Sequence, residues 1–295
     1  MSDGRVAGAP VSWGVIEIPD WGYQMPANRV LEEASSLGLT AVEAGPEELL
    51  PADPAEVSDL LARYGLKLVG GFVPAVLHEP GVREGELSRV EGRARFFSAA
   101  GADVVVLAAM PASEDFGPFV EIDAGAWETL FESLKMVEEI CARHGVAVSL
   151  HSHYGTVVES DGQLKRCLEG SGMGLCLDTG HLVIGGSDPV EIADIAGDRV
   201  NHAHLKDVDT EVAGRLAARK LSFKDAAQQD AFRPLGEGDV DVGGVVDKLE
   251  GSGYAGWYVL EQDSVVGAEP REGEGPMRDV GRSLKYLEAR LGDLR

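Results

Sequence analysis

Cationic residues are scarce in this sequence: 26 lysines and arginines stand against 50 aspartates and glutamates among 295 residues, a formal charge of −24. A surface of that sign repels phosphate backbones and anionic headgroups, which argues against nucleic acid or a membrane surface as partner. Cysteine is scarcer still. Cys141, Cys167 and Cys176 are odd in number, form no CxxC pair and read as reduced, buried thiols. Nowhere do eighteen apolar residues follow one another, and the opening MSDGRVAGAPVSWG has no apolar run of secretory length, so the expectation is a cytoplasmic protein without a membrane span. A glycine-rich phosphate turn is missing too. The first strand candidate runs into Trp13-Gly14-Val15 with no GxGxxG, which disfavours a doubly wound open sheet.

What is present is alternation. Short β-branched runs at 5–14, 40–45, 67–76, 103–109, 146–153, 174–178, 200–206 and 256–262 read as strands. Between and after them lie amphipathic stretches at 29–37, 55–64, 87–100, 127–144, 162–168, 189–195, 242–249 and 277–291, with apolar residues recurring at three and four, as in Leu130, Leu134, Val137 and Ile140. Runs such as VVVL at 104–107 are apolar throughout, as strands covered on both faces should be. Eight strand–helix alternations predict one domain over 1–295: an α/β fold whose eight parallel strands close into a (β/α)8 barrel. Two long connections, 209–238 and 263–276, follow the last two strands on the face where barrel active sites are built.

Five of the seven histidines fall in or just after strands: His151, His153, His181, His202 and His204. Side chains alternate along a strand, so His151 and His153 share one side of the fifth strand, and His202, His204 and Lys206 one side of the seventh. If those sides face the barrel axis, His151, Asp178, His204 and Glu261 converge from consecutive strands. One such residue alone is most often structural. Four at corresponding positions, including an Asp and a Glu that would be costly inside without a cation, argue for a divalent-metal site. Two imidazoles and two carboxylates suit Mn²⁺, Co²⁺, Fe²⁺ or Zn²⁺, with Mg²⁺ also compatible; the hard carboxylates favour Mn²⁺.

The segments SLHSHYG (149–155), LDTGH (177–181), HAHLKDV (202–208), PLGEGDVD (234–241) and VLEQD (259–263) resemble the xylose-isomerase-like TIM barrel superfamily of sugar isomerases and epimerases. The opening GAPVSWGV (8–15) and AVEAGPEELLP (41–51) look specifically like inosose dehydratases, which remove water from a keto-inositol. The resemblance covers essentially the whole chain. It implies one divalent cation on the same four residues, His151, Asp178, His204 and Glu261. It also exposes a departure: epimerase branches usually carry a glutamate where this chain has His151, and that glutamate is one of two opposed acid–base carboxylates. The departure favours dehydration over epimerisation.

The expected chemistry is therefore metal-assisted β-elimination from a small polyhydroxy ketone, with His153 and Lys206 as acid–base candidates, each one step beyond a ligand. Trp13, Glu43, His181 and Arg233 are expected near substrate: Trp13 through its ring face, Glu43 through hydroxyls, His181 beside Asp178, and Arg233, with Glu237, in a covering loop. A sugar isomerase or epimerase, a keto-glycoside lyase and a sugar-binding protein without chemistry remain alternatives. A homo-oligomer is compatible with the sequence.

Overall fold

Parallel strands are apolar on both faces because both are covered. In the computed structural model, which describes residues 5–113 and 117–294, the apolar runs form β1 (Val6–Gly8), β2 (Ala41–Val42), β3 (Lys67–Leu68), β4 (Gly70–Ala75), β5 (Val104–Ala109), β6 (Ala147–His151), β7 (Gly174–Asp178), β8 (Val200–Leu205) and, after a short antiparallel pair β9 (Asp207–Val208) and β10 (Phe232–Arg233), β11 (Tyr258–Leu260). The order β3-β2-β1-β11-β8-β7-β6-β5-β4 is parallel throughout. β3 and β4 are one strand interrupted at Val69. Its N–H donates to Val42 O at 3.0 Å and its carbonyl accepts from Val104 N at 3.1 Å, which closes the ring. The fold is an α/β TIM barrel, as the alternation predicts.

The eight expected helices all form, as α1 (Ala27–Ser36), α2 (Pro54–Arg63), α3 (Arg83–Ala99), α4 (Ala124–Arg143), α5 (Asp161–Gly170), α7 (Pro189–Ala196), α10 (Val242–Gly251) and α11 (Pro276–Asp293), and a short α6 (Thr179–Ile184) that the sequence reading did not expect follows β7. Short polar residues start several of them. Asp53, Asp123 and Asp188 accept backbone N–H bonds at the N-terminus, and Ser160 with Gln163 makes a full capping box. No helix among the described residues is long and apolar enough to cross a membrane.

Two stretches differ from the sequence reading. The first strand stops at Gly8, and Pro10–Trp13 is a 3-10 turn. Residues 209–238 are not a bare loop: they contain α8 (Thr210–Ala217), α9 (Phe223–Gln228) and β10. The side chain of Asp207 anchors this excursion. Its Oδ1 accepts from the N–H groups of Val208 (2.9 Å) and Val240 (3.0 Å), and its Oδ2 from those of Gly236 (2.9 Å) and Gly238 (3.0 Å).

Alternation sorts the strand residues into two layers. Val105, Leu107, Leu150, Leu175, Leu177, Ala203, Leu205, Tyr258 and Leu260 join the main core with the helices, whereas Val104, Val106, Cys176, Ala7, Ala41, Val69 and Val259 form separate small clusters within the ring. One irregularity matters for function. Leu175 pairs with Val200 but Cys176 pairs with His202, so Asn201 is an extra residue, a β-bulge. Val200 belongs to the outer core along with Ala203 and Leu205. Strict alternation from Val200 would have turned His202 and His204 outward; the bulge turns them in. Asn201 is held there by Ser149 Oγ, which donates to Asn201 Oδ1 at 2.6 Å, and by its own Nδ2 bond to Val148 O at 3.1 Å.

Candidate metal centre and active site

Strand register brings the candidate ligands together. Asp178 lies level with His204, and His204 level with Val259, two residues before Glu261. One ligand atom from each of His151, Asp178, His204 and Glu261 lies within 4.8 Å of all the others. The site's hydrogen bonds fix which atoms are free. His151 Nδ1 donates to Ser152 O at 2.8 Å, which leaves the Nε2 lone pair facing Asp178 Oδ2 at 3.7 Å. His204 Nε2 donates to Glu43 Oε1 at 3.0 Å, which leaves Nδ1 facing Glu261 Oε2 at 2.9 Å and Asp178 Oδ2 at 3.6 Å. Asp178 Oδ1 is used as the N-cap of α6, accepting from His181 N at 2.8 Å. Both Asp178 Oδ2 and His204 Nδ1 are buried without a hydrogen bond. Acceptors facing acceptors inside a protein require a positive charge between them.

The electrostatics agree. Burial pushes His151 down to about 4 and keeps its imidazole neutral. Burial opposes a charge on His204 as well, but the carboxylates of Glu261, Glu43 and Asp178 outweigh it and push its pKa well above the usual histidine value. Without a cation, His204 takes up a proton in its place. Other clusters of metal-ligating groups occur nearby, and each is already accounted for. Glu43, His202 and His204 are joined by hydrogen bonds of 2.8 and 3.0 Å. Cys176, beside His151 and His204, has its thiol pushed up to about 11 by burial and remains protonated. Among His181, Glu261 and Asp263 lies the Lys206 ammonium, 3.0, 2.7 and 2.7 Å from them. The donor set His151, Asp178, His204 and Glu261 therefore fits a divalent cation, and the other three need none.

The LDTGH segment acquires a physical meaning residue by residue. Asp178 caps α6 with one oxygen and offers the other to the site. Thr179 Oγ1 accepts from Lys206 N (2.8 Å) and donates to Lys206 O (2.7 Å), clamping the end of β8. A Cβ on Gly180 would meet Lys206 Cγ at 2.6 Å and Cδ at 2.8 Å, so only glycine lets the lysine stem pass.

Above the four ligands opens a cavity of about 330 Å³. His151, His153, His204, Glu43, Glu261 and Asp263 supply its polar floor. His153 Nδ1 donates to Tyr154 O at 2.7 Å, and burial pushes its pKa down to about 3, which keeps the ring neutral. Lys206 does not line the cavity. It is fully buried behind the ligands, where burial is outweighed by Asp178, Asp263 and Glu261, and it stays cationic. His181 is likewise behind the wall, accepting at Nδ1 from Tyr154 N at 3.3 Å. Glu43 lines the cavity but is also the partner of His202 and His204.

Two expected substrate contacts lie elsewhere. The Trp13 ring is wholly buried in the main core, with Nε1 donating to Glu33 Oε2 at 2.9 Å, because the 3-10 turn rotates it away from the axis. Arg233 lies off the cavity wall, 3.3 Å from Asp209 Oδ2, and Glu237 pairs with Arg282 at 2.7 Å. One residue escaped the sequence reading. Asp263 lines the floor, and burial, partly offset by Lys206, pushes it up to about 6. Its spacing was the available signal: it lies two residues beyond Glu261, as His153 lies beyond His151 and Lys206 beyond His204.

Comparison with known proteins agrees with this architecture. Residues 31–289 match the family described as Xylose isomerase-like TIM barrel. The chain is 30% identical over 275 residues to an inosose dehydratase of Geobacillus kaustophilus (strain HTA426), covering 89% of both chains. It is 30% identical over 267 residues to the rhizopine catabolism protein MocC of Rhizobium meliloti, covering 88% of this chain and 81% of that one. A solved structure of the IolI protein with a bound zinc atom superposes with a TM-score of 0.72 at 14% identity, covering 98% of each chain. Barrel closure, the inward-turned histidines and a match spanning most of the sequence lead to one conclusion: this chain belongs to the Xylose isomerase-like TIM barrel family.

Proposed function

We propose that the protein is a metal-dependent dehydratase, a carbon–oxygen lyase that removes water from an inosose or a similar cyclic polyhydroxy ketone. The observation that carries this reading is the clustering of one ligand atom each from His151, Asp178, His204 and Glu261, all within 4.8 Å of one another, at the floor of a cavity that also exposes His153 and Asp263. A relative named inosose dehydratase, 30% identical over most of both chains, supports the substrate class.

A divalent cation held by His151, Asp178, His204 and Glu261, with Mn²⁺ favoured for the two carboxylates, supplies the positive charge that stabilises an enolate. The remaining work falls to the chain. His153, a neutral imidazole on the cavity floor, accepts the proton from the carbon beside the ketone. The electron pair forms the carbon–carbon double bond as the β-hydroxyl leaves, and the Asp263 carboxyl protonates it so that it departs as water. Lys206 holds Asp263 and Glu261 in place from behind, at 2.7 Å from each. Glu43 orients His204 through Nε2. Histidine at 151 supports elimination over epimerisation, since it removes one of the two opposed carboxylates that proton exchange across one carbon requires.

The test is incubation of the Mn²⁺-loaded protein with an inosose, followed by mass spectrometry and ultraviolet absorbance. Loss of one water with a new enol–diketone chromophore is expected. Hydrogen exchange or isomerisation at conserved mass would replace the dehydratase reading with the isomerase one.

A further inference from the structure

Much of the cavity wall is apolar. Opposite the floor it is formed by Val11, Val15, Ile16, Ile18, Phe72 and Met110. Among the described residues that line it, none is a serine, threonine, tyrosine, asparagine, glutamine, lysine or arginine. Backbone donors are depleted as well: Pro10, Pro19, Pro46 and Pro74 also line the cavity, and proline has no N–H to offer. The remaining charged lining residue is Glu17, an acceptor on an exposed stretch.

This wall is built rather than incidental. Ile16 and Ile18 pack against a buried cluster that includes Trp21 and Phe223. Trp21 and Phe223 meet ring to ring at 5.7 Å, and Trp21 Nε1 donates to Ser264 O at 2.9 Å, tying the segment to the connection after β11.

An unsubstituted inosose carries hydroxyls around its whole ring. Along Val11, Val15, Ile16, Ile18, Phe72 and Met110 they would lose water and gain no side-chain hydrogen bond in return, which disfavours binding there. We propose that the preferred substrate is a cyclic polyhydroxy ketone bearing an apolar substituent, an ether-linked alkyl or aryl group, on the edge away from the reacting carbons. The hydroxyketone edge meets the His151–Asp263 floor, and the substituent lies against Ile16, Ile18, Phe72 and Met110. The substituent is retained, and the group lost is still water. The proposal rests on the dehydratase reading for its reaction but on the wall alone for its preference.

Two measurements separate these. First, kcat/KM of the Mn²⁺-loaded enzyme is compared for scyllo-inosose, its O-methyl ether and its O-benzyl ether, substituted opposite the ketone. Second, calorimetry compares the binding of the corresponding inositols, which lack the ketone and do not react. We expect both quantities to rise from parent to ether, by tenfold or more for whichever of methyl and benzyl fits, since one added methylene in an apolar pocket is worth roughly 10- to 200-fold. Ile18→Asn should cut the ether-to-parent ratio at least fivefold. Equal or weaker binding of both ethers than of the parent overturns the proposal, as does a ratio that Ile18→Asn leaves unchanged. If the ethers bind better but no ketone loses water, the preference stands and the dehydratase reading falls. If the parent loses water with no preference for the ethers, the reverse holds.

Discussion

Replacing Asp207 by asparagine changes one oxygen to an amide and conserves shape, yet the structure makes it a severe substitution. Four backbone N–H groups converge on this carboxylate, two on each oxygen, at 2.9–3.0 Å. Whichever way the asparagine amide is turned, its NH₂ faces two donors. Each N–H left without an acceptor costs about 1–3 kcal/mol when buried. Three of the four bonds are part-buried, so about 1 kcal/mol each is appropriate. The two surviving bonds lose their charge assistance, roughly half their strength, which adds about 1 kcal/mol in all. The expected destabilisation is therefore about 3 kcal/mol. Urea unfolding should show a lower midpoint with an unchanged slope. Asp239→Asn is the control: its Oδ2 accepts only from exposed Thr210, and the expected cost is under about 1 kcal/mol. An Asp207→Asn protein within about 0.5 kcal/mol of the parent would refute the claim that this side chain holds the 234–240 turn.

Glu43→Gln should weaken metal binding about 10- to 100-fold, because the ring of His204 loses a carboxylate partner; competition with a metal-sensitive dye measures this, and unchanged affinity would remove Glu43 from the metal's support. Gly180→Ala would ordinarily favour a helix by about 1 kcal/mol, but here the methyl group strikes the Lys206 stem, so a net loss of about 1–3 kcal/mol is expected in thermal or urea unfolding. His151→Ala should abolish both stoichiometric Mn²⁺ in the purified protein and the rise in melting temperature on adding Mn²⁺; a retained rise would contradict the ligand assignment. Burial pushes Cys141 and Cys167 up to about 12 and Cys176 up to about 11. In the unfolded chain these thiols ionise near pH 8.5, whereas the folded chain keeps their protons. Stability is therefore full below about pH 8.5 and falls as pH rises toward 11, by at most about 1.4 kcal/mol per thiol per pH unit. Unfolding titrations at pH 8 and pH 10 test the sign.

Much of the barrel is local in origin. Apolar runs such as Val104–Ala109 and the three-and-four spacing of α4 identify strands and helices without reference to anything distant. The four candidate ligands stood out because period-two alternation marks residues that share one side of a strand, although the bulge at Asn201 decides which side His204 takes. The same rule reached His153 and, followed one step further on the last strand, would have reached Asp263.

Tertiary structure decided what alternation cannot express. A single extra residue, Asn201, reverses the parity of β8, and only the register with β7 reveals it. Trp13 leaves the axis because a 3-10 turn follows β1, which the pattern of apolar residues does not encode. Lys206 looked like an acid–base group from its spacing, but three carboxylates and His181 enclose its ammonium and remove it from the cavity. The reason is common to all three cases. Sequence periodicity fixes the side of an element on which a residue lies. Its partners come from elements far away in the chain, and those partners determine whether a charge is a ligand, a support or a reactant.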